Sequence, residues 1–183
     1  MRALFLAAGA AVFLAPHPAS AGVMTIGGSF AEGCYKYAQG RVGTLDAVVT
    51  CDRVFSDQAL TSDDQFATYV NRGNVKMHRR EYSGAQADFD RAGAMNPKRG
   101  EPWLNMGVLQ FKQGNSRSAI SLFDKALSLG TDEPEVAYYG RGLAHEDIGD
   151  LKAAYADLRK ALELRPKWID PARELARYQV RRP

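Results

Sequence analysis

The chain has little of what most catalytic chemistry needs. It carries two cysteines and three histidines in 183 residues, and one of those histidines, His17, falls in the N-terminal segment. His78 and His145 remain, far apart in sequence and without a third residue to complete a zinc-type set, so neither a metal nor another cofactor is expected. The sequence has no Gly-rich phosphate loop, no nucleophile elbow and no Cys-x-x-Cys pair. Charge of one sign is scarce as well. The 24 Lys and Arg against 21 Asp and Glu leave +3, too small and too dispersed to argue for nucleic acid. Long apolar runs are confined to the first residues, and nothing later is long enough to cross a bilayer.

The opening "MRALFLAAGAAVFLAPHPASA" has one basic residue, Arg2, an apolar run from Ala3 to Ala15 and a small-x-small ending at Ala19-Ser20-Ala21. This layout predicts a secretory signal over residues 1–21, cleaved after Ala21, and hence a periplasmic or secreted protein with no stable membrane insertion once cleaved. No Cys follows the site to take a lipid anchor. In an exported chain the even pair Cys34 and Cys51 suggests one disulfide.

What is present is a repeat. "EYSGAQADFDRAGAMNP" at 81–97 is echoed by "NSRSAISLFDKALSL" at 115–129 and by "DLKAAYADLRKALELRP" at 150–166. With Gly73, Gly107 and Gly142 in register, Ala85, Ala119 and Ala154 align, then Phe89, Phe123 and Leu158, then Ala92, Ala126 and Ala161; the aromatics Tyr69, Trp103 and Tyr138 precede each Gly. Small and apolar residues recur at three and four, which is helical spacing, and breaks at "HRREY", "KQGNS" and "DIGDL" divide each unit into two short helices. A mid-helix Gly costs propensity and implies a close approach, here expected from the small Ala85, Ala119 or Ala154 of the second helix.

These residues resemble the tetratricopeptide repeat, with units at 66–99, 100–134 and 135–168. The departures are Arg72 and Arg141, where the family usually has Leu, and Lys76, Gln110 and His145, where it often has Tyr. The resemblance implies an all-α, right-handed superhelix of helix-turn-helix repeats. Extended backwards, it makes 22–65 a degenerate N-terminal helical hairpin, with Cys51 on the Phe position and Cys34 one residue before the Gly position, where Tyr35 sits. The resemblance thus sets the cysteines face to face, with bulky Tyr35 loosening the helix contact. "DPARELARYQV" offers Asp170 as N-cap and Leu175, Tyr178 and Val180 inward, a capping helix over 169–183.

The same resemblance points to function: a protein- or peptide-binding adaptor, not an enzyme. First helices of such repeats line a concave groove, which implies peptide contacts from Asn71, Asn74, Met77, Asn105, Phe111, Tyr139 and Glu146. Asn71 and Asn105 resemble the asparagines with which some family members clamp a C-terminal carboxylate, but Val136 and Gly140 stand where that clamp needs basic residues. Glu146 and Asp147 would instead favour a basic stretch on the partner. Two alternatives stay open at this stage: an enzyme or accessory domain acting on envelope substrates through His145, Glu146 and Asp147, and self-association through the concave face or an uncapped end.

Overall fold

The computed structural model of the protein describes residues 26–56 and 60–178, so the expected signal segment and Val180 of the expected cap lie outside the described residues. The described residues form nine α-helices and no strand. Four antiparallel pairs follow one another: α1 (Ile26–Gln39) with α2 (Leu45–Val54), α3 (Ser62–His78) with α4 (Tyr82–Met95), α5 (Glu101–Lys112) with α6 (Ser116–Ser128), and α7 (Pro134–Asp147) with α8 (Leu151–Leu164). The short α9 (Ile169–Leu175) packs on α8 and ends the stack. α3 starts four residues ahead of Phe66. Thr61 and Asp64 form a capping box there, with Thr61 Oγ1 accepting the Asp64 N–H at 3.1 Å and the Asp64 carboxylate accepting the Thr61 N–H at 3.2 Å. The cap of α9 is Trp168 rather than Asp170, whose carboxylate accepts the Trp168 indole N–H at 3.1 Å.

One turn joins the two helices of every pair, and Gly130 at φ 75° repeats it between the second and third repeats. Arg80, Gly114 and Gly149 lie in the left-handed region at φ 65°, 81° and 84°, and Arg41 does so at 54°. Each allows the next residue's N–H to reach back five residues: Val42 to Tyr37, Glu81 to Lys76, Asn115 to Gln110 and Asp150 to His145, all at 2.9 Å. Glycine takes this conformation freely, whereas each arginine gives up about 1 kcal/mol.

The shared turn sets the register of the first pair. Counted back from Arg41, Arg80, Gly114 and Gly149, the matching residues are Cys34, Gly73, Gly107 and Gly142. Cys34, not Tyr35, therefore holds the glycine position, and the extra residue lies in the α1–α2 turn. Tyr35 points away and is 49% exposed, so it does not loosen the pair as expected. Cys34 and Cys51 are bonded, their Cα atoms 4.8 Å apart, and both are buried with Ala38, Ala47, Val48 and Val54.

In the later pairs an aromatic ring fills the space that glycine leaves. A Cβ on Gly73 would lie 2.4 Å from Cε1 of Phe89, and one on Gly107 would lie 2.8 Å from Cδ1 of Phe123. Gly142 is less tight, 3.1 Å from Cγ of Leu158. The partner of the glycine is thus the large residue, and the buried Ala85, Ala119 and Ala154 let the backbones close around it. Burying each ring is worth about 2–3 kcal/mol.

The two arginines that depart from the family pattern form buttresses between repeats. Arg72 forks onto Asp88 of its own repeat at 2.9 and 2.6 Å and reaches Asp52 of the preceding repeat at 2.7 Å. Its guanidinium lies 4.6 Å from the ring of Phe55, which packs in turn on Tyr69. Arg141 repeats the arrangement, forking onto Asp157 at 2.8 and 2.7 Å and reaching Asp124 of the preceding repeat at 2.5 Å. Burial pulls the pKa of Arg72 down, but Asp88 and then Asp52 more than offset it and leave it raised; hydrogen bonding to Asp157 raises that of Arg141. In the repeat between them the corresponding residues are Met106, which is buried, and half-buried Leu122, so the same position is filled by an apolar pair.

Two outcomes follow from this packing. Replacing Cys34 and Cys51 together by Ala should cost about 3 kcal/mol, the chain-entropy value for a loop of this size. Urea unfolding followed by circular dichroism should then show α1–α2 lost first, with most helical signal retained. Arg141→Met alone should cost about 2–3 kcal/mol, because it strands the carboxylate of Asp157, while Arg141 keeps enough solvent contact to stay below the fully buried range. Adding Asp157→Leu should recover most of the loss, since that pair already serves in the middle repeat. A double mutant that stays as unstable as Arg141→Met would show that the buttress is not interchangeable with apolar packing.

Candidate functional site

The first helices α1, α3, α5 and α7 carry the residues expected to line the groove, and the structure sorts them into three groups. Asn71, Asn74 and Asn105 are half-buried on successive first helices. Asn105 spends its amide N–H on the carbonyl of Glu101 at 3.0 Å and keeps its side-chain oxygen. Asn74 Oδ1 is shielded and accepts no hydrogen bond. Met77 belongs to the packing. At 5% exposure it sits among Ala85, Phe89, Met106 and Leu109 between repeats, so it is not a groove residue as expected. Phe111 is half-buried against the core of Leu104, Phe123 and Ala137.

The third group is claimed by the C-terminal cap. The Tyr139 ring packs on Trp168 with centroids 4.8 Å apart. Burial first, then the charges of Glu174 and Asp170, raises the pKa of Tyr139. Glu146 receives Arg177 at 2.7 and 2.8 Å. Asp147 accepts the hydroxyl of Ser116 at 2.5 Å and, with Ser116 and Ile148, lines an open cleft at the start of α6. The acidic end expected to attract basic partners is therefore engaged internally: Glu146 is neutralised by an arginine, and Asp147 is hydrogen-bonded by a hydroxyl of the neighbouring helix. The residues of the enzymatic alternative diverge in the same way. His145 Nδ1 lies 3.8 Å from Asp150, while Glu146 and Asp147 turn to Arg177 and Ser116, so the three share no common focus.

Two features of this face were not picked out in the sequence. The corrected register places Tyr35 level with Asn74 and Val108, adding an exposed aromatic to the same row; it accepts a hydrogen bond from Gln39. The signal was available, since aligning Cys34 instead of Tyr35 with the glycines would have found it. The second feature is a basic edge. The turn after α1 packs on the end of α3, where a Cβ on Gly43 would lie 2.6 Å from the backbone of His78 and Arg79. This brings Arg41 near His78 at the end of α3, with Lys112 at the end of α5 on the other side. The His78 pKa is lowered, by burial first and then by the charges of Lys112 and Arg41.

Models of the tetratricopeptide repeat match residues 70–134 and 136–167, together just over half of the chain. Protein FlbA of Caulobacter vibrioides is 33% identical over 67 residues, which are 37% of this chain and 11% of that protein. Human sperm-associated antigen 1 is 26% identical over 118 residues, 64% of this chain and 13% of that protein. The chain thus spans only about an eighth of the length of these relatives. Among solved structures, PilW, a type IV pilus biogenesis factor, superposes with a TM-score of 0.69 at 20% identity, covering 83% of this chain and 68% of that one. The first tetratricopeptide domain of Spaghetti (RPAP3), bound to the HSP90 peptide SRMEEVD, superposes with a TM-score of 0.58 at 22% identity, over 61% of this chain and 90% of that one. The matched models and the four stacked helix pairs agree: the chain belongs to the tetratricopeptide repeat family.

Proposed function

We propose that this protein is an exported adaptor that holds a peptide or partner protein against the concave face of its first helices. The observation that carries the reading is a division of labour along those helices. Gly73, Gly107, Met77 and the arginine buttresses are consumed by packing, whereas Asn71, Asn74, Asn105 and Tyr35 stand in the row left over. Asparagine both donates and accepts, which suits an extended peptide backbone that needs both. The RPAP3 domain with its bound peptide supports the reading as a precedent for the fold, and the apolar leader with Ala19-Ser20-Ala21 supports export. A periplasmic setting also fits a cysteine pair that ends up bonded.

The test compares variants rather than asking only what is captured. Partners retained by the wild-type chain from an envelope extract are identified and titrated by calorimetry against Asn71→Ala, Asn105→Ala and the double variant. Each single change should weaken binding several-fold, at about 1 kcal/mol per lost hydrogen bond, and the double change at least ten-fold, with the circular dichroism spectrum unchanged. Binding that survives the double change and is abolished by changes on the outer helices α4 and α6 would move the binding surface off the groove.

A further inference from the structure

The α9 segment is a first helix without a second. In the repeat register it buries Pro171 and half-buries Leu175 and Tyr178, the Tyr178 ring packing on Tyr155 of α8, as the preceding first helices pack on the pair before them. Its other face, Ile169, Ala172 and Ala176, is exposed. In the three preceding repeats the position of Ala176 is held by Gly73, Gly107 and Gly142, and that of Ile169 by Phe66, Gly100 and Glu135. All six are buried or half-buried, the mid-helix glycines under Phe89, Phe123 and Leu158 of their second helices. Among the described residues no second helix stands beside α9. Ile169 is therefore 69% exposed, the most of any large apolar residue described, and Leu164 at the end of α8 is 44% exposed.

The other end of the stack is finished differently. Lys36 of α1 holds the position where Val75, Leu109 and Ala144 are buried against the preceding pair, and it stands in solvent, paired with Glu32 at 2.6 Å. The apolar end thus has no apolar counterpart at the opposite end of a second copy, and an open head-to-tail chain is not favoured. The α9 face is instead complementary to itself. Ile169 is large and Ala176 small, and they lie on one helical stripe about 10 Å apart. Turned antiparallel about a twofold axis, a second α9 sets Ile169 of each copy against Ala176 of the other. This is the large-on-small contact that Phe89 makes with Gly73 inside the chain. The charges match as well: Arg173, only 3.9 Å from Asp170 of its own helix, comes within one turn of Asp170 of the other copy.

We infer that this chain pairs with a second copy of itself through α9, the α9 of each copy taking the place of the other's missing second helix in a closed, antiparallel, twofold dimer. A face of two helical turns with Leu164 beside it is smaller than the ~1,200 Å² at the low end of stable interfaces, so the dimer is transient, with a dissociation constant on the order of 100 µM. The row of Asn71, Asn74 and Asn105 lies on α3 and α5 and stays open in both copies, so the inference stands apart from the groove reading.

The experiment is sedimentation equilibrium of the whole chain, oxidised, from about 10 µM to about 1 mM. A monomer–dimer equilibrium with no larger species is expected. Ile169→Glu should weaken it at least ten-fold and leave the circular dichroism spectrum unchanged, because that side chain is exposed in the single chain. Leu45→Glu with Val49→Glu, at the exposed apolar pair of α2, should leave the equilibrium as it is. Added cysteines read the geometry, and the bonded, buried Cys34 and Cys51 do not compete with them. Ala172→Cys, beside the twofold axis, should cross-link with its own kind under mild oxidation. Ile169→Cys and Ala176→Cys should each cross-link poorly alone and well when mixed. A monomer at every concentration, an equilibrium that survives Ile169→Glu, or species that grow beyond the dimer overturns the inference. So does a dimer lost in the α2 variant and kept in Ile169→Glu, or cross-linking of Ile169→Cys alone that matches the mixture.

Discussion

The stack depends on an aromatic ring seated where a side chain is missing. Phe89 lies against Gly73 and Phe123 against Gly107 so closely that a methyl group could not be added at either glycine without moving the ring. Phe123 also abuts Gly140 of the next repeat, where an added Cβ would lie 2.5 Å from its ring. One phenylalanine therefore fixes both the crossing of its own helix pair and the docking of the pair that follows. Because interiors pack as densely as organic crystals, such a contact offers few alternatives. Helix angle, repeat-to-repeat spacing and the direction in which the first helices face all follow from it. The first pair meets the same demand differently: with cysteine on both positions, a covalent bond replaces the ring.

Around this apolar axis the repeats are joined by two kinds of contact. The first and last of the three full repeats place an arginine between two aspartates, one from each side of the repeat boundary. The middle repeat uses Met106 and Leu122 instead. Asp88 and Asp157, at 4% and 7% exposure, would be costly to bury without the forked guanidinium. The arginine earlier marked as a departure from the family pattern is thus half of a unit whose other half, the aspartate, lies sixteen residues on. Seen singly, either residue looks like an exception. Seen together, they replace an apolar pair with a charged one of similar reach.

The half-buried row of Asn71, Asn74 and Asn105 is what remains after these demands are met. Asn71, Asn74 and Asn105 could be placed on one face from the repeat register alone, because helical periodicity is carried in the sequence. Met77 could not be separated from them: whether a long side chain at that position turns inward depends on how closely the next repeat docks, and here it is buried beside Met106. Glu146 was legible as a carboxylate on the right helix but not as a neutralised one, since its partner Arg177 lies thirty-one residues away in the segment after α9. The basic edge escaped the sequence for a related reason. Arg41 follows the first helix and Lys112 ends the third of the first helices, and only the docking of the α1–α2 turn onto His78 brings them to one rim.

The sequence by itself determined that the chain is a series of helix pairs. Glycine, alanine and phenylalanine at fixed spacing encode local periodicity and local close approach, and both act within a single unit of the repeat. Through its resemblance to the family it also implied that Cys34 and Cys51 lie on facing helices. The tertiary structure decided the rest: that Cys34 rather than Tyr35 takes the glycine position, that Glu146 and Asp147 are spent on contacts within the chain, and that Arg41 and Lys112 both come close to His78. Those outcomes depend on turn length and on ion pairs between residues distant in sequence. Such pairs form only when one repeat is docked on another, which no pattern within a single repeat can specify.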